Sequence, residues 1–145
     1  MMITRRIWGM VLVLMFATMT SYAGEIVREQ AVKYYNEGLK AQKAGNFDNA
    51  KTAYQKAIML AEGDRKDVIK AIHNNFGIMY VNSGEWEAAA QSFSDALSID
   101  PDYKEANFNL GILYAKMGEA EKALVYWSKA LNKTNSYILD SEKEQ

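Results

Sequence analysis

A repeat of 34 residues constrains this chain more than any other feature. Gly77 and Gly111, Gly84 and Gly118, Ala89 and Ala123, and Ala96 and Ala130 are each 34 apart. The same skeleton occurs earlier as Gly38, Gly45, Ala50 and Ala57, 39 residues before the second copy. Five residues are therefore inserted between Asp64 and Lys70. The copies span 31–64, 70–103 and 104–137. A fixed period of this length marks a stack of small units, none of which can bury its apolar face alone.

Each copy reads as two helices and a turn. In the second copy, Ile72, Phe76, Met79 and Tyr80 share one helical face between Lys70 and Ser83. Gly84 ends that helix, because glycine tolerates the left-handed conformation of a helix terminus. Glu85 to Ile99 forms the second helix, with Trp86, Ala89, Phe93, Ala96 and Leu97 on one side. Asp100-Pro101 stops it, since proline cannot donate the next helical hydrogen bond. Gly77 and Ala89 are placed to let the paired helices approach closely, with Tyr80, Trp86 and Phe93 filling the wider gaps. The third copy repeats this plan around Leu110, Tyr114, Gly118, Ala123, Trp127 and Ala130.

These residues resemble the tetratricopeptide repeat. The second copy carries the family's pattern at Phe76, Gly77, Tyr80, Gly84, Trp86, Ala89, Phe93, Ala96 and Pro101, with His73 at a large-residue position. The third departs from it at Asn107, Ala120 and Asn135, and the first at Glu37, Ala41 and Glu62. All nine small helix-contact positions fit. The resemblance implies an all-α fold: a right-handed α-solenoid of three antiparallel helix-turn-helix hairpins. Tyr137, Ile138 and Leu139 are expected to begin a short C-terminal capping helix over the third repeat. Asp64 is expected to cap an early start of the second repeat's first helix.

The resemblance also implies a concave face lined by the first helix of each repeat. Its candidate partner-binding residues are Tyr35, Asn36 and Leu39 from the first copy, Asn74, Asn75, Ile78 and Val81 from the second, and Phe108, Asn109 and Ile112 from the third. Tyr35, Leu39, Ile78, Val81, Phe108 and Ile112 make this floor apolar. Asn36, Asn75 and Asn109 occupy the same repeat position, and a primary amide offers both a donor and an acceptor to a peptide backbone. The implied partner is another protein, bound through an extended peptide or a helical segment, with self-association as the rival. The clamp by which some family members hold a C-terminal carboxylate needs basic residues where this chain has Tyr35 and Glu105, and asparagine where it has Leu39. That mode is not expected.

The first residues read as an export signal. Arg5 and Arg6 precede an apolar run from Ile7 to Met19, and Ser21 and Ala23 supply the small residues of a cleavage site after Ala23. The expected domains are a signal peptide over 1–23 and a repeat domain over 24–145, exported to the periplasm. The apolar run is about 20 Å long as a helix, short of the roughly 30 Å hydrocarbon core. A membrane contact is expected only if the leader is retained.

The chemistry of catalysis is missing from the pattern. The chain has one histidine, His73, and no cysteine. No phosphate-binding glycine loop and no metal-ligand spacing is present. No enzyme activity, cofactor or metal is expected, and His73 is expected to pack. Without cysteine there is no disulfide and no lipid-modified cysteine. Seventeen basic residues against eighteen acidic ones argue against nucleic-acid binding.

Overall fold

The computed structural model describes residues 2–61 and 65–131. Six helices occur there: α1 (Met2–Lys43), α2 (Phe47–Ala61), α3 (Lys66–Ser83), α4 (Trp86–Ile99), α5 (Lys104–Lys116) and α6 (Ala120–Leu131). No strand occurs among the described residues. The helices pair as α1/α2, α3/α4 and α5/α6. Successive hairpins then stack through α2 on α3 and α4 on α5, while α1 touches α3 and α3 touches α5. The fold is the expected all-α solenoid.

Each hairpin turns on a glycine. Gly84 has φ of 79°. The reversal lets the Glu85 N–H reach back to the Tyr80 carbonyl at 2.9 Å. The Asn46 N–H bonds the Ala41 carbonyl at 2.9 Å and the Glu119 N–H bonds the Tyr114 carbonyl at 2.8 Å in the same way. The three turns thus share one geometry.

Within a hairpin, an aromatic ring covers a glycine. A Cβ on Gly38, Gly77 or Gly111 would lie within 2.4 Å of Tyr54, Phe93 or Trp127 respectively. Ala89 and its equivalents Ala50 and Ala123 are buried. The core has two parts. One gathers Ala31, Ala50, Tyr54, Ala57, Ala61, Val68 and Ile72 between α1, α2 and α3. The other gathers Ala89, Phe93, Leu110 and Leu113 between α3, α4 and α5.

Two boundaries differ from expectation or extend it. The second repeat's first helix does start before Lys70, at Lys66, but its N-cap is Arg65, with no side-chain cap bond. Arg65 instead pairs with Asp67 through two hydrogen bonds at 2.8 and 2.7 Å. Asp64 lies outside the described residues, as do the expected capping helix at 137–139 and the end of the third repeat. Toward the N-terminus α1 continues unbroken through the expected leader. From Leu12 to Val27 its large apolar side chains are exposed, and from Leu12 onward the first core residue is Ala31. Among the described residues no helix is long and apolar enough to cross a membrane.

Candidate protein-binding groove

Helices α1, α3 and α5 carry the predicted floor residues, and contacts of α1 with α3 and of α3 with α5 set these helices side by side. Their order along the solenoid is Tyr35 and Leu39 on α1, Ile78 and Val81 on α3, then Phe108 and Ile112 on α5. Five of these six are half-buried, because stacking against the cores takes part of each side chain. Tyr35 and Leu39 pack against the first core, and Ile78 and Val81 against the second. Phe108 is 51% exposed. An aromatic side chain this open has lost much of the hydrophobic gain available to it, so Phe108 is the floor's most available apolar contact.

The three equivalent asparagines part company. Asn36 is exposed. Asn75 is 9% exposed, and its Nδ2 donates to the Tyr54 hydroxyl oxygen at 3.2 Å. The Tyr54 hydroxyl in turn donates to Gln42 Oε1 at 2.6 Å. Asn109 is half-buried and its Nδ2 donates to Asn74 Oδ1 at 2.9 Å, tying α5 to α3. Asn74 itself is 6% exposed. The series is therefore not a row of free amides. Its members share a repeat position but meet different neighbours. Burial, with the Tyr35 hydroxyl nearby as a lesser cause, pushes the Tyr54 hydroxyl far above its ordinary range and keeps it a neutral donor.

One contributor escaped the sequence reading. Tyr103 stands just before α5, and its hydroxyl pKa is pushed up to about 12, first by burial and then by Glu105, Tyr35 and Asp100. Lys70 Nζ lies 4.7 Å from the Tyr103 ring centroid and pairs with Asp100. Tyr103 thus joins Tyr35 and Glu105 at one lip of the floor. Its place outside the repeat's first helix hid it from a position-by-position reading. The opposite lip carries Lys43 and Lys116, which close α1 and α5 and are exposed.

His73 is half-buried, with Nδ1 3.9 Å from Asp95 Oδ2. No group of three or more metal-ligating side chains occurs among the described residues.

Comparison with known proteins agrees with this geometry. Family patterns described as Tetratricopeptide repeat match residues 34–64 and 105–133, and one described as TPR repeat matches 77–118. The chain is 35% identical over 75 residues to Photosystem I assembly protein Ycf3 of Synechococcus sp. (strain CC9605), covering 50% of this chain and 41% of that protein. It thus spans about two fifths of that relative's length. Among solved structures, the second TPR of Spaghetti (RPAP3) bound to an HSP90 peptide matches with a TM-score of 0.63 at 18% identity, covering 79% of this chain and 96% of that one. MamA protein matches with a TM-score of 0.60 at 27% identity, covering 74% of this chain and 56% of that one. Over these residues the chain is thus built of tetratricopeptide repeats.

Proposed function

We propose that this protein is an exported adaptor that binds a segment of another protein in its concave groove, in envelope assembly, secretion or protein maturation. The observation that carries the reading is the floor itself. Six apolar side chains stand on three helices that lie side by side, and Phe108 is left half in solvent. A solenoid exposes such a surface at a cost in stability that a bound partner offsets. The relatives named as photosystem I assembly proteins support a role in assembly. Because only two fifths of such a relative is matched, partner binding carries over, and the particular complex does not.

Export rests on the first 23 residues. The basic pair, apolar run and small residues form a signal, and from Leu12 to Ala23 no residue is buried in the core. The periplasm is the compartment that such a compact leader serves.

The test is affinity capture from the native compartment with wild type and Ile78→Glu in parallel, and N-terminal sequencing of the recovered chain. A partner captured by wild type and lost from a folded Ile78→Glu variant supports the groove. A mature chain beginning at Gly24 supports export. Capture that ignores Ile78→Glu moves function off the groove, and a chain that keeps Met1 or Met2 refutes cleavage.

A further inference from the structure

This inference rests on the groove reading above and concerns the conformation of the occupant. An extended peptide leaves its own N–H and C=O groups unmatched, so a groove that holds one must supply donors and acceptors along its length. Across the middle of this floor each amide is at least half-buried and already makes a bond within the protein. The Asn75 amide is buried against Tyr54, the Tyr54 hydroxyl is bonded to Gln42, and the Asn109 amide is bonded to Asn74. What faces outward between them is apolar: Ile78, Val81, Ile112 and the half-exposed Phe108. A helix suits such a floor, because its backbone hydrogen bonds are internal and only its side chains need partners.

The lips add a sign. Lys43 and Lys116 stand exposed at the C-terminal ends of α1 and α5. Glu105 stands exposed in the first turn of α5, on the other side of the floor. We infer that the groove holds an amphipathic helix of a partner protein. Its apolar stripe lies on Ile78, Val81, Phe108 and Ile112, and its acidic side chains face the lip of Lys43 and Lys116. Charge complementarity fixes the direction in which the helix lies, and apolar contact holds it.

The experiment uses two peptide-display libraries selected on the protein in the form the cell leaves it. One presents a helix-forming scaffold with a single randomised face. The other presents short unconstrained sequences. Selected peptides are synthesised and titrated by fluorescence anisotropy against wild type, Ile78→Glu, Phe108→Ser and the double variant Lys43→Glu/Lys116→Glu. Circular dichroism checks that each variant is folded and follows the peptide. Phe108→Ser keeps the floor testable if Ile78→Glu disturbs packing, since Phe108 is already half exposed.

The expected result is binders from the helical library that gain helix on binding and weaken about tenfold or more in both floor variants. Acid-rich binders should also weaken severalfold in the double lysine variant, and less so in high salt. Binders that come only from the unconstrained library, stay non-helical and still depend on Phe108 would overturn the helix while leaving the groove. Binders indifferent to both floor variants, or none from either library, would overturn the groove reading and this inference together. A wild-type oligomer that Phe108→Ser converts to monomer would make a second copy the occupant and overturn the partner helix.

Discussion

The ring of Phe93 lies on the backbone of Gly77: a Cβ added to that glycine would sit 2.4 Å from Phe93 Cε1 and 2.5 Å from Cδ1. Phe93 is 1% exposed and has nowhere to withdraw. The substitution Gly77→Ala gains helix propensity of about 1 kcal/mol. It also forces an overpacked contact costing roughly 1–3 kcal/mol, and more where the ring is confined. We expect net destabilisation in urea unfolding. In a Phe93→Ala background the same change should be neutral or stabilising, because the ring that it strikes is gone.

The hydroxyl of Tyr54 bridges Gln42 and Asn75, joining α1 and α3 through α2. Tyr54→Phe leaves the buried Asn75 amide without that acceptor and should cost about 1–3 kcal/mol. A double-mutant cycle with Asn75→Ala should show strong coupling. Asn36→Ala, at the equivalent but exposed position, should change stability by less than about 0.5 kcal/mol.

Ala89 has no exposed surface and faces the paired helix in the second repeat. Ala89→Leu should therefore overpack that contact and cost roughly 1–3 kcal/mol, whether or not a partner is present. Thermal unfolding of the isolated protein is sufficient to read it. A harmless substitution would mean that the repeat register is misplaced.

Asp100 has its carboxyl held below the usual carboxylate range by a hydrogen bond from Lys70, which outweighs the opposing effect of burial and is aided to a lesser degree by the charge of Lys70 and the backbone N–H of Asp102. A carboxyl with a depressed folded-state pKa adds stability above its unfolded pKa of about 4. That contribution is lost as pH falls through the folded value. The Asp100 side chain is 34% exposed, so solvent screening limits the effect to about 1 kcal/mol or less. Asp100→Asn should therefore be less stable than wild type at neutral pH. The difference in thermal midpoint should close in acid, below about pH 4.

The groove was partly legible in advance. The family resemblance placed Tyr35, Leu39, Ile78, Val81, Phe108 and Ile112 on the first helices, and the fold sets those helices next to one another. How far each is open was not legible, because it depends on neighbours contributed by other repeats. Phe108 is open at 51%, while Ile112, one turn later on the same helix, is half-buried. Tyr103 was missed because it belongs to the loop before α5, whose course is set by Pro101 and by the Asn107 amide donating to the carbonyls of Pro101 and Tyr103 at 3.1 and 3.2 Å.

By itself the sequence determined the period, the paired helices, the glycine turns and the small residues that let helices approach, since each follows from local conformational cost and spacing along one chain. Tertiary structure decided what identical positions do. Asn36, Asn75 and Asn109 are the same residue in the same register, yet one meets solvent, one meets Tyr54 and one meets Asn74. A hydrogen bond needs a partner from a neighbouring helix at the right distance and angle. Sequence spacing carries the position of a side chain on its own helix, and only the stacked fold brings it the group to which it bonds.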